Sequence, residues 1–224
     1  MKYLLVAIAV FIGINIAFVL FVFISALFAR RQPVDRIKPF YRRLVPFVAR
    51  YACFWSGIKP ELTGEEKLPD SRFVFISNHR SGFDPLSAIW LFRKYGLAFI
   101  SKPSNIDIPL IGNLAYEYAC LPIDRDSDRN ALKTILRASD YIKKDICSVG
   151  IYPEGTRNKT PGTLLPFHAG SFKIAQKAKV PVVLAYTKEG KITILETVPA
   201  EKVLSMTTRE LSEYSRGVIL CQEH

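Results

Sequence analysis

The chain opens on an apolar run, Tyr3 to Phe28, that carries no charged residue. Wound as a helix at ~1.5 Å per residue it would reach roughly 39 Å, enough to cross a ~30 Å hydrocarbon layer with tilt. A cleaved signal peptide is the rival reading, but its apolar region is only about 7–15 residues long and follows a more basic start than a lone Lys2. The run therefore predicts an uncleaved transmembrane anchor over residues 1–29. The pattern then changes: Val34, Ile37, Phe40, Leu44, Phe47, Val48, Tyr51, Phe54 and Trp55 recur at helical spacing with basic residues between them. This predicts a basic amphipathic interfacial segment over residues 30–59, broken by Pro39 and Pro46 into short or kinked pieces. Its apolar side has two candidate covers, a bilayer surface and the protein core, and both can hold.

Beyond Pro60 the period alternates. Phe73–Ser77, Leu97–Ile100, Ala119–Ile123, Ser148–Tyr152 and Val180–Ala185 read as strands, whereas Pro85–Tyr95, Arg129–Lys144 and Ser171–Lys179 read as helices. Such alternation predicts an α/β fold with a largely parallel central sheet flanked by helices. A strand at Lys191–Leu195 and a helix opened by the capping box Thr207-Thr208-Arg209-Glu210 complete the tail. With no repeat or linker in view, residues 60–224 are expected to form one catalytic domain.

Composition changes the picture in two ways. The 224 residues are 49% hydrophobic, which allows one domain core with a membrane element to spare, and their formal net charge of +11 favours an anionic partner. Much of that charge follows the apolar run at once, as Arg30, Arg31, Arg36, Lys38, Arg42 and Arg43 against Asp35 alone. By the positive-inside rule everything after the anchor is cytoplasmic, and anionic membrane lipid is the expected partner; nucleic acid is the weaker account. The four cysteines, Cys53, Cys120, Cys147 and Cys221, are scattered and have no histidine at metal-ligand spacing, so neither a metal site nor a disulfide framework is expected.

Candidate chemistry sits where two predicted strands end. After Phe73–Ser77 comes Asn78-His79-Arg80-Ser81-Gly82-Phe83-Asp84, in which Gly82 is expected to let the loop fold back so that Asp84 meets the His79 ring. A carboxylate on one imidazole nitrogen sets the tautomer and leaves the other bare, which makes a general base. The competing reading makes Asp84 the N-cap of the following helix. At the end of Ser148–Tyr152 comes Ile151-Tyr152-Pro153-Glu154-Gly155-Thr156-Arg157, on the same sheet edge, where open α/β sheets collect ligands. Arg157 suits a phosphate, Gly155 permits close backbone approach, and Glu154 is expected to orient a cation or bind a hydroxyl. The competing reading is a surface turn with a weak ion pair worth ~0–1 kcal/mol.

Together and in this order the two stretches resemble the signature of the glycerolipid acyltransferase family, N-H-x-x-x-x-D followed by F-P-E-G-T-R-S. The resemblance runs from about Phe73 to Val183. It takes in Lys102 ahead of Ile108-Pro109-Leu110-Ile111-Gly112, then Leu121-Pro122-Ile123-Asp124-Arg125 and Val180-Pro181-Val182-Val183. Three departures stand out: Tyr152 for phenylalanine, Asn158 for serine, and His168 where the family commonly has lysine.

The resemblance implies acyl transfer from acyl carrier protein or coenzyme A, as co-substrate rather than cofactor, to the free hydroxyl of lysophosphatidate. It implies His79 and Asp84 as catalytic residues, and Lys102, Arg125, Glu154, Gly155, Thr156 and Arg157 as substrate-binding. Acyl transfer to another glycerolipid acceptor and an inactive lipid-binding protein are the alternatives; a metal-dependent phosphatase or nuclease fits poorly, for want of clustered ligands.

Overall fold

The computed structural model describes residues 2–124 and 126–223. Helix α1 (Lys2–Leu27) leads through an irregular segment to α2 (Pro39–Trp55). Then follow β1 (Glu61–Thr63), β2 (Val74–Ser77), α3 (Asp84–Leu91), β3 (Ala98–Ser101), α4 (Pro103–Ile106), α5 (Ile111–Glu117) and β4 (Leu121–Pro122). The chain closes with α6 (Asp128–Lys143), β5 (Val149–Ile151), α7 (Lys173–Ala178), β6 (Val182–Lys188), β7 (Lys191–Val198), α8 (Ala200–Ser205) and α9 (Thr208–Leu220).

The seven strands form one sheet in the order β1-β7-β6-β2-β5-β3-β4. All neighbouring pairs are parallel except β6 and β7, joined by the tight turn at Glu189-Gly190. The predicted α/β fold with a largely parallel sheet is therefore the observed one. Central β2 carries the run Val-Phe-Ile-Ser with every residue shut away from solvent, as a strand covered on both faces must be. Leaving Ser77, the chain emerges between β6 and β5, and His79 lands at the carboxyl edge.

Several boundaries moved. Ala119–Ile123 shrinks to two paired residues, because Ala119 takes a left-handed conformation (φ 65°) that no strand accommodates. The predicted helix Pro85–Tyr95 ends at Leu91 and finishes in a short 3-10 turn. β1, α4, α5 and α8 went unpredicted; each is six or seven residues or fewer, too short to display a period.

The amphipathic segment is also simpler than expected. Val34 and Ile37 lie in irregular chain, and α2 is one helix of 17 residues. Pro39 opens it, where the missing amide proton costs nothing, and Pro46 is carried inside. α1 runs back along α2: Phe21 meets Phe40, Phe18 meets Phe47, and the Tyr51 hydroxyl donates to Asn15 Oδ1 at 2.8 Å. The turn between the two helices is tied to α5 by buried Glu117, whose Oε1 accepts from the Arg30 amide (3.0 Å) and the Lys38 ammonium (3.4 Å). Facing inward, Ala49 and Cys53 of α2 are buried, with Cys53 Sγ 3.7 Å from Ser87 Oγ of α3. Facing outward, Phe40, Phe47, Phe54 and Trp55 are exposed together with nearly the whole apolar length of α1.

Candidate active site

His79 and Asp84 meet as expected, with Nδ1 3.0 Å from Oδ2, but the turn closes by another device. Gly82 is not among the residues with positive φ; Asp84 Oδ2 itself gathers the loop by accepting the amides of Arg80 and Ser81, each at 2.7 Å. The small side of Gly82 instead lies under a guanidinium, since a Cβ there would sit 3.6 Å from Arg157 Nη1. Asp84 is the first residue of α3 rather than its N-cap, and its carboxylate is fully buried. Because Oδ2 offers only lone pairs, the ring nitrogen facing it must be the protonated one. In the neutral ring Nε2 is then the nitrogen without a proton, and so the one that can take one.

The ring is held on its face as well as its edge. It stacks on Tyr152 (4.3 Å, 11° between planes), which stacks on Phe99 of β3 (5.2 Å, 10°). That pile of three rings requires glycine beneath it: a Cβ at Gly150 of β5 would come within 2.5 Å of the Phe99 ring. Burial, and then the neighbouring Asp84 charge, push the Tyr152 hydroxyl well above its ordinary pKa. Tyr152 Oη and Asp84 Oδ1 are both buried without a hydrogen-bond partner among the described residues.

Glu154 does something the sequence reading missed. It is buried, and its two oxygens accept backbone amides: His79 N at 2.8 Å and Leu165 N at 2.9 Å. In this way it staples the histidine loop to the following loop. Asn158 adds a second staple, its amide donating to the His79 carbonyl at 2.8 Å. Asn78 supplies a third, because its side chain exchanges two hydrogen bonds with the backbone of Thr187 (2.9 and 2.7 Å) and so continues the β2–β6 ladder past its last strand residue. Arg80, not singled out from sequence, donates to the carbonyls of Asn158, Thr160 and Thr163 and pairs with Glu223. The signal for these lay in residue types that bond backbone readily; their partners are too distant in sequence to be read.

Beside the dyad opens a cleft of about 500 Å³. It is lined by Lys102, Glu154, Gly155 and Thr156 together with Asp124, Asp126 and His168. Gly155 adopts φ 73°, which only glycine does without strain, so the backbone can pass close to whatever occupies the cleft. Arg157 is exposed at the adjoining loop and makes no ion pair among the described residues. Arg125 lies outside the described residues. No group of three or more metal-ligating side chains occurs among the described residues. Burial raises the thiols of Cys120 to about 11 and Cys147 to about 12, so neither offers a thiolate at neutral pH.

An oriented imidazole beside a cleft lined by Lys102 is equipped to deprotonate a hydroxyl on a bound molecule, and comparison with known proteins agrees on the class. Residues 59–187, more than half of the chain, match the Acyltransferase family, and the chain belongs to it. The relatives are more particular. The chloroplastic 1-acyl-sn-glycerol-3-phosphate acyltransferase BAT2 of Brassica napus is 36% identical over 63% of this chain and 42% of its own length. The Haemophilus influenzae 1-acyl-sn-glycerol-3-phosphate acyltransferase is 31% identical over 58% of this chain and 56% of its own. The chain thus spans about half the length of the curated relatives it matches. Among solved structures, the 1-acyl-sn-glycerophosphate acyltransferase PlsC of Thermotoga maritima shares the fold, with a TM-score of 0.67 at 22% identity over 91% of this chain and 86% of that one.

Proposed function

We propose that this protein acylates the sn-2 hydroxyl of 1-acylglycerol 3-phosphate from an acyl thioester, carried on acyl carrier protein or coenzyme A, to give phosphatidate. The observation that carries this reading is the His79–Asp84 pair, with Nδ1 held and Nε2 bare. Nε2 accepts the hydroxyl proton as the oxygen forms its bond to the thioester carbonyl. The tetrahedral intermediate collapses by breaking the carbon–sulfur bond, and the imidazolium returns the proton to the departing thiolate. The Asp84 carboxylate lies beside the charge that builds on the ring in between. Lys102 lines the cleft and Arg157 lies against Gly82 of the histidine loop, and a phosphate held by the two would fix the hydroxyl against Nε2. Arg125 belongs to the same proposed phosphate site by its sequence position.

We also place the protein at a membrane surface, with the domain on the cytoplasmic side. α1 is long and apolar enough to cross a bilayer, but it is bound to α2 along much of its length, so the pair meets the lipid as a unit. The lipid acceptor then reaches the cleft without leaving the bilayer.

The deciding experiment supplies membranes carrying the wild type or His79→Ala with an acyl thioester and, separately, 1-acylglycerol 3-phosphate, glycerol 3-phosphate or a lysophospholipid of larger headgroup. Product should be phosphatidate, and the variant should lose ~10²–10⁴ in rate. Acylation of another acceptor alone would overturn the substrate; no acylation by folded wild type would leave a lipid-binding protein.

A further inference from the structure

Opposite the catalytic edge, α2, β1 and the end of α3 leave a groove of about 800 Å³. Its walls hold Arg42, Arg43, Arg93 and Lys94 against one carboxylate, Glu65. Arg42 is already committed, its guanidinium donating to the carbonyls of Ile146 and Lys94 at 3.3 Å each, and so it braces the wall. Arg93 is set in place by the Trp90 ring (4.3 Å) and the Trp90 carbonyl (3.0 Å). Arg43, Arg93 and Lys94 are exposed, and none of the three forms an ion pair among the described residues.

The rest of the lining is apolar: Pro46, Phe47, Leu62, Trp90 and Leu91. Phe47 is also where the groove meets the helical pair, its ring standing edge-on to Phe18 of α1 at 5.8 Å. The groove therefore joins unpaired cations to an apolar floor that continues onto the exposed face of α1 and α2. A free anion would leave that floor unused, and a folded acidic protein would have to share it with the apolar helices. A molecule with an anionic head and hydrocarbon tails matches both halves.

We infer that this groove is a non-catalytic seat for an anionic glycerophospholipid of the bilayer, with its phosphate on Arg43, Arg93 and Lys94 and its chains over Phe47 toward α1. The inference rests on the membrane-surface reading above and not on the acyl-transfer reaction. Bound there, the lipid fixes the domain at its end remote from His79, so that the catalytic cleft keeps a constant height above the headgroups.

The test retains lipid on the detergent-solubilised full chain and counts it by native mass spectrometry, with phosphatidylglycerol against phosphatidylcholine. Wild type should hold phosphatidylglycerol with at least about tenfold preference, since each cation near an anionic surface contributes about fivefold. Charge reversal at Arg43, Arg93 and Lys94 to glutamate should abolish the preference, and the milder Arg43→Gln/Lys94→Gln should reduce it. Reversal of the exposed Lys133, Lys177 and Lys188 to glutamate, an equal change of net charge elsewhere, should leave it intact. A preference that survives the groove variants, falls equally in the control, or is displaced by inorganic phosphate as readily as by lipid would overturn the seat. Retention is read without turnover, so loss of the seat and loss of acyl transfer are separate results.

Discussion

The two ends of the sheet use charge in opposite ways. At the carboxyl end, Asp84 and Glu154 are buried and bonded to backbone amides, leaving one nitrogen of His79 unspoken for. At the amino end, Arg43, Arg93 and Lys94 are exposed and without ion pairs among the described residues, around an apolar floor. The difference follows from what each end must do. Proton transfer requires a ring fixed to within a fraction of an ångström, and buried hydrogen bonds supply that. Attraction to a charged surface requires only that cations be present and unneutralised.

The comparison breaks most severely at Asp84. Asp84→Asn keeps an oxygen for the loop amides but cannot balance an imidazolium, so acyl transfer should fall by ~10³ with the fold intact, followed as turnover alongside circular dichroism. Equal activity would show that Asp84 only shapes the loop. Arg157, the exposed cation of the catalytic end, should behave in between. Arg157→Ala is expected to raise the apparent KM for the phosphorylated acceptor about tenfold or more while leaving the acyl donor's KM alone, a split that steady-state kinetics would reveal. The smallest effect belongs to Tyr152→Phe. It removes a buried hydroxyl that has no partner among the described residues but keeps the stacked ring, so stability should stay level or rise by up to about 1 kcal/mol, with turnover within about twofold. A large loss of turnover would mean that the hydroxyl serves the dyad.

Much of the site was legible because its chemistry is local. His79 and Asp84 share one loop, and the motif places them at a strand end whatever the rest of the chain does. The alternation of apolar runs likewise made the parallel sheet readable, since its strands are buried on both faces. The part Glu154 plays in fastening the loops was not legible, because its partner, the His79 amide, lies 75 residues away and no side-chain pattern advertises a backbone donor. Gly82 was credited with a bend that Asp84 makes, since a glycine in a loop looks the same whether or not it turns the chain.

What the sequence by itself determined was the set of parts: a charge-free apolar helix, a basic amphipathic stretch, an alternating α/β pattern, and two motifs at strand ends. Each is written in neighbouring residues, where periodicity and turn chemistry act. Only the tertiary structure decided that α1 folds back on α2, that Glu154 and Asn158 fasten the histidine loop, and that four cations from α2 and the residues after α3 frame one groove. Those relations depend on hydrogen bonds and packing between segments far apart in the chain, and the register of such contacts is set when the sheet closes.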